Sequence, residues 1–310
     1  MTQAAAPAAA ETPTRGIRRR GAARRELRRF WLTPAVIVTL LLTLGPLFIT
    51  LGLSFTNVHL SRTTPFEWTT GNWTRLFGDA GFRAVMGNML WFVGIGVTLQ
   101  YLLGLGLALA LDLLVVKGRW LRVMVLTPMM ISPMAVGFIV GRMMLGPEGP
   151  VVQGLGFLGL HDVVFFRTPI VSKLSLILVD TWQWTPLITL VLLVGLQMIP
   201  KSLKESAYVD GASDWQTIRH IVLPLLGTAS LTAITLRLLE AFKIVDIIVA
   251  ITGGGPGRAT ESITLFVYNT GVNNGDVAYA ATAGFAMLVV VILTATLLLA
   301  GGRWFLKRVQ

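Results

Sequence analysis

The chain has 310 residues, a formal net charge of +11 and a mean hydropathy of +0.71, with 54% of its residues hydrophobic and 13% charged. That composition excludes an ordinary soluble domain, and the absence of cysteine excludes disulfides, thiol catalysis and thiolate metal sites. The three histidines, His59, His161 and His220, lie far apart without metal-ligand spacing, so no metal site is expected.

Residues 1–30 open with an Ala/Pro-rich stretch and continue as RGIRRRGAARRELRRF, with eight arginines between Arg15 and Arg29. With few apolar residues to bury, this segment is expected to be a disordered tail. Arg28-Arg29-Phe30 before an apolar run resembles a twin-arginine export signal. The run is too long for one and no A-x-A-like site follows, so a retained cytoplasmic anchor is the reading. Six apolar segments come next, roughly 32–55, 86–115, 121–145, 174–198, 225–251 and 280–302. Each is near or above the ~20 residues that span a bilayer, and in lipid such segments must close their backbone hydrogen bonds internally. The expected fold class is all-α, a polytopic membrane protein with six transmembrane helices, its membrane domain covering 31–310. Gly94, Gly96, Gly104 and Gly106 in the second segment predict close helix approach.

Between the fourth and fifth segments lies a polar island, Pro200 to Pro224, PKSLKESAYVDGASDWQTIRHIVLP. Ser202 with Glu205 and Ser213 with Gln216 each fit a capping box, and Gly211 between them suits a helix end with positive φ. Pro224 suits the start of the following helix. The prediction is two short helices joined by a tight turn, projecting from the membrane as a knob for a partner protein.

Lys/Arg bias orients the chain. With the tail inside, Lys117, Arg119, Arg122, Lys201, Lys204, Arg219, Arg303, Lys307 and Arg308 also fall inside. The connections 56–85, 146–173 and 252–279 then fall outside and are poorer in basic residues for their length. Both termini and the knob are thus expected in the cytoplasm. The basic charge follows from topology and anionic membrane lipid, without a nucleic-acid partner.

No G-x-x-x-x-G-K-[ST], H-E-x-x-H or G-x-S-x-G motif occurs, so no catalytic residue is assigned. Gly253-Gly254-Gly255-Pro256-Gly257 lacks the lysine of a phosphate loop and reads as a flexible turn. More informative are ionisable residues at membrane depth: Asp180 in the fourth segment and Arg237, Glu240, Lys243 and Asp246 at intervals of three in the fifth. Either they neutralise one another as Arg237–Glu240, Glu240–Lys243 and Lys243–Asp246 pairs along one helix, or they line a polar cavity. Trp182, Gln183 and Trp184 carry the same ambiguity, as an interfacial belt or as surfaces for a sugar ring.

Glu205-Ser206-Ala207, three residues, Gly211, nine residues, then Ile221-Val222-Leu223-Pro224 matches EAA-x3-G-x9-I-x-LP, with Ser206 for the first alanine. In this the chain resembles the membrane subunits of binding-protein-dependent ABC importers. Over residues 31–310 it is similar to their carbohydrate branch, of the maltose and glycerol-phosphate type. Ser54-Phe55-Thr56, Gly71-Asn72-Trp73, Asn88-Met89-Leu90, Trp182, Pro186, Leu196-Gln197, Ile199-Pro200, Asp210-Gly211-Ala212 and Thr252-Gly253-Gly254-Gly255-Pro256 carry that likeness. Gly141-Arg142 departs from it, where the branch has a tryptophan-containing run.

The resemblance implies a permease subunit of the bacterial inner membrane, non-catalytic and binding no cofactor itself, with ATP and Mg held by a partner ATPase. It implies a second permease subunit, as a heterodimer, two ATPase subunits and an extracytoplasmic solute-binding protein. The EAA loop would be a coupling helix on the ATPase, through Glu205, Ser206, Ala207, Asp210, Gly211, Ala212, Leu223 and Pro224. The flanking helices would line the substrate path, with Asp180, Gln183, Trp184 and Leu187 on one wall. Arg237, Glu240, Ala241 and Ile244 would form the other, for a sugar, polyol or glycerol phosphate. A stand-alone secondary transporter or channel would share the six helices and the charges but not the EAA spacing, and no inverted repeat is visible. A membrane sensor or scaffold would normally bring a soluble signalling domain, and none is seen.

Overall fold

The computed structural model describes residues 15–61, 65–113, 119–160 and 163–309. Residues 1–14 of the expected tail, Lys117 and His161 lie outside the described residues. Contacts divide the chain into two units, residues 1–52 and 53–310. The first unit holds most of α1 (Arg15–Ser54), whose Leu32–Ser54 portion is long and apolar enough to cross a membrane. Residues 15–30 of the expected tail, the first that are described, carry helical backbone geometry as part of α1. Their Arg, Ala, Leu and Glu are strong helix formers, and they continue an already nucleated helix.

The second unit opens with α2 (Gly71–Gly78). Then α3 (Ala80–Leu90), a π-helical turn (Trp91–Gly96) and α4 (Val97–Leu113) together make one long span. The next span is broken. Helix α5 (Arg119–Leu126) and a 3-10 turn (Thr127–Met130) lead to α6 (Pro133–Val136) and a π-helical segment (Gly137–Met144), bent by 99° at the junction. Proline explains the break: Pro133 lacks an N–H and disfavours helical geometry before it, and Ile131 and Ser132 are indeed extended. After α7 (Pro150–Phe157), α8 (Pro169–Gln197) is again a full-length span, with Pro186 inside it.

The polar island folds as α9 (Lys201–Val209), α10 (Asp214–Thr217), a π-helical turn (Ile218–Val222) and α11 (Leu223–Leu225), followed across a 63° bend by α12 (Gly227–Ala241). The fifth apolar segment therefore does not run to 251. It stops at Ala241, turns, and resumes as α13 (Asp246–Ile251). Helix α14 (Ile263–Tyr268) and a π-helical turn (Asn269–Asn273) precede the last span, α15 (Val277–Val309). Among the described residues there is no strand beyond the isolated Thr56–Trp68 bridge. Among the described residues four helices qualify as membrane spans alone, or up to six if each bent pair counts as one.

Two apolar clusters organise the second unit. One joins Leu76, Val85, Met89, Leu176, Val179, Ile247, Ile248 and Phe266; the other joins Ala108, Leu111, Ile188, Leu192, Leu196, Val222 and Leu226. Helix α8 belongs to both, and its residues 180–185 lie between them. Close approach in the second cluster depends on Gly104 and on Gly195, where a Cβ would come within 2.6 Å of Ala229 Cβ. A Cβ on Gly104 would come within 2.8 Å of Ile188 Cγ2, whereas Gly94, Gly96 and Gly106 have open space. Of the four glycines expected to admit a neighbour, only Gly104 does so.

Candidate functional site

Between the clusters sits a polar knot. Arg237 and Asp180 form an ion pair whose side chains are 2% and 7% exposed. Gln100 on α4 completes it: its Nε2 donates to Asp180 Oδ2 at 2.8 Å and its Oε1 accepts from Arg237 Nε at 2.6 Å. Three spans are thereby tied at one level. The Arg237 guanidinium also lies 5.2 Å from the centre of the Trp184 ring, within cation–π range. Neither desolvated charge is left alone, which is the condition for keeping them at this depth.

The pairs expected along one helix mostly do not form. Arg237 turns to Asp180 instead of Glu240, and the break after Ala241 removes the helical register that would bring Lys243 to Asp246. Only Glu240–Lys243 forms, at 2.7 Å and near solvent. Asp180, Trp184, Arg237, Glu240, Lys243, Ile244 and Asp246, with Pro133 of the broken span, line an open cavity of about 290 Å³. Gln183, Leu187 and Ala241 do not line it. Gln183 is buried and donates to the Ile131 carbonyl at 2.9 Å, tethering α8 to the break. Ala241 is buried and Leu187 half-buried. Gln100 was missed by sequence reasoning. Its signal was a lone amide in the apolar run from Trp91 to Leu111.

At the end of the molecule bearing the polar island, α9 closes in a Schellman motif. Ala212 N–H reaches the Ala207 carbonyl (2.9 Å) and Gly211 N–H the Tyr208 carbonyl (3.1 Å), with Gly211 at φ +82°. Ser213 and Gln216 form the expected capping box on α10. Ser202 and Glu205 do not form theirs. The Pro200 carbonyl accepts the first helical bond, from Leu203, so the helix starts at Lys201 and Ser202 lies inside it. Of α9 only Ala207 is buried; Glu205, Ser206, Leu203, Tyr208 and Val209 are exposed, as are Asp210, Gly211 and Trp215. Ala212, Leu223 and Pro224 are half-buried. Asp214 accepts the Tyr208 hydroxyl's hydrogen bond and so raises that phenol above its ordinary range.

At the opposite end, polar side chains pin the loops. Asn88 donates to the carbonyls of Arg258 (2.8 Å) and Glu261 (3.0 Å), and Asn72 to those of Ser54 and Thr56. Arg258 pairs with the buried Glu261 at 2.7 Å, and Arg75 with Asp276 at 2.6 Å. Asp79 caps α3 and accepts from Tyr279 Oη at 2.6 Å. Arg142 is exposed, with no ion-pair partner among the described residues. No cluster of metal-ligating side chains occurs among the described residues.

An all-helical membrane protein with a polar knot between its spans, an open cavity beside it and an exposed capped helix at one end has the build of a transporter subunit. The chain belongs to the family of binding-protein-dependent transport system inner membrane components, whose model matches residues 100–310. It is a multi-pass subunit of an ABC transporter, and the ATP-hydrolysing subunit of such a system is a separate chain. It is 36% identical over 214 residues to a trehalose/maltose transport system permease protein of Thermococcus litoralis, covering 69% of this chain and 72% of that one. It is 30% identical to a sulfoquinovosyl glycerol transport system permease protein of Agrobacterium fabrum, covering 83% of each. Its fold matches a bacterial alginate ABC transporter solved with an alginate pentasaccharide-bound periplasmic protein. There the TM-score is 0.79 at 23% identity, over 93% of this chain and 98% of that one.

Proposed function

We propose that this chain forms half of the translocation pathway of an ATP-driven importer for a sugar, or a related polyol or glycerol phosphate. The observation that carries the reading is α9, an exposed helix stopped by Gly211 in a Schellman turn and lying on the EAA spacing. Such a helix is a rigid lever, which a loop is not. It seats on one of two ATPase subunits through Glu205, Ser206, Ala207 and the Asp210-Gly211-Ala212 turn, with Leu223 and Pro224 leading back into the membrane. The ATPase's two states then bias the bundle between its inward and outward forms.

Both termini and α9 face the cytoplasm of a bacterial cell in this reading, which the Lys/Arg bias and an even number of spans support. Relatives named for trehalose, maltose and sulfoquinovosyl glycerol support a carbohydrate cargo. Asp180, Trp184, Arg237, Glu240 and Ile244 line this chain's share of the path. The cavity of about 290 Å³ is open and lies at the lower end of the ~300–1,000 Å³ range of ligand pockets, and a second, different permease subunit completes the path. A solute-binding protein delivers cargo from the far side.

Reconstitution with the partner permease, the ATPase and the binding protein tests this. Gly211→Pro and Glu205→Arg are expected to abolish uptake while the complex still assembles in part. Normal ATP-dependent uptake by both variants would refute the coupling role.

A further inference from the structure

Helix α9 has little apolar purchase on the bundle, because only Ala207 of its side chains is buried. What joins it to the second span is an ion pair. Lys204 Nζ donates to Asp112 Oδ2 at 2.9 Å, with the side chains 25% and 19% exposed. The space beside this pair, about 90 Å³, is lined by Leu109, Tyr208, Asp214 and Thr217 as well. It is not filled by side chains, and the buried Thr217 hydroxyl there has no protein partner. Among the described residues, Lys204 is the one cation paired with Asp112.

We infer that the Asp112–Lys204 ion pair is the strut that carries movement of α9 into the membrane spans. This rests on the importer reading above. Asp112 and Lys204 act as positioning residues and touch neither cargo nor nucleotide. The strut closes a ring. From Asp112, α4 runs about 18 Å back to Gln100. Gln100 holds Arg237 on α12, and α12 returns through α11 and α10 to the Schellman turn and α9. A push on α9 thus reaches the polar knot through the backbone of α8, through α12 and, by the strut alone, through α4. The loop residues of the EAA spacing supply only the second of these routes.

The test uses the complete transporter in liposomes, with solute-loaded binding protein, and reads solute imported per ATP hydrolysed. Asp112→Lys and Lys204→Asp are each expected to lower that ratio at least about fivefold, with recovery of the complex unchanged. The double variant D112K/K204D restores opposite charges and is expected to return to within about twofold of the unsubstituted complex. Unchanged ratios in the single variants, or a double variant no better than they are, would overturn the strut. Glu205→Arg is run beside them. If it too leaves the ratio unchanged, the importer reading fails at the loop itself; a defective Glu205→Arg beside unaffected charge reversals sinks the strut alone.

Discussion

Replacing Asp180 with alanine removes the carboxylate from a pair that is almost wholly enclosed, at 2% and 7% exposure for Arg237 and Asp180. Breaking a buried pair from one side costs about 3–5 kcal/mol, because the surviving charge keeps its desolvation penalty. Gln100 Oε1 still accepts from Arg237 Nε in the variant, which places the loss at the lower end, near 3 kcal/mol. At ~2–4 °C per kcal/mol the thermal midpoint should fall by about 6–12 °C. The assay heats the purified complex in detergent and follows recovery of the monodisperse form by size exclusion. The double variant D180L/R237M removes both charges and should recover most of that loss, since apolar replacement of a whole buried pair is often neutral. It should nevertheless fail in uptake, because the cavity wall has lost its polar groups. A midpoint for Asp180→Ala within about 2 °C of the unsubstituted complex would refute the argument that the knot carries stability.

Other consequences are as direct. Gly211→Ala forces a side chain into left-handed geometry at φ +82° and should cost α9 about 1–2 kcal/mol, read as faster hydrogen exchange at Gly211 and Ala212. Gly104→Val should drive α4 from Ile188 and cost about 1–3 kcal/mol in overpacking, whereas Gly106→Val, with open space around it, should leave the thermal midpoint in place. Burial pushes the Asp79 carboxyl up, but hydrogen bonds from Tyr279, Gly81 and Phe82 and the charge of Arg258 bring it net below its ordinary value. A carboxylate lowered on folding contributes above its unfolded pKa of about 3.9 and stops contributing as pH falls through its folded value. Exchange protection at Gly81 and Phe82 should therefore hold flat from neutral pH to about 5 and drop below about 4, a fall that Asp79→Asn should abolish.

The membrane class, the positions of the spans and the two short helices around Gly211 were legible in the sequence, because hydropathy, capping chemistry and positive-φ glycine are local signals. Pro133 announced the break in the third span as clearly, yet a hydropathy reading runs straight through a proline. The error at 225–251 has the same origin: apolar content continues past Ala241 although the helix does not. The partner of Arg237 could not be read from spacing, since Asp180 lies 57 residues away and helical registers across two spans are set by packing. Residues chosen for likeness to a family, such as Asn72 and Asn88, prove to be pins for loop carbonyls, a role that requires the third dimension.

The placement of the polar groups has a consequence for movement. Apolar packing in the two clusters is dense and indifferent to direction, so each cluster resists internal rearrangement. The links between the clusters differ in kind. They are the Gln100–Asp180–Arg237 knot, the Gln183 tether to the break at Ile131, and the backbones of α12, of the α3–α4 span and of α8, where Pro186 removes a helical hydrogen bond. Hydrogen bonds and an ion pair are directional and can exchange partners with polar cargo or water, as a methyl group cannot. A bundle that alternates its access needs two stiff bodies and one level at which they may shift. In this chain the level with the exchangeable links is also the level of the cavity, so under the proposed function cargo that entered there would compete for the same groups that hold the bodies in register.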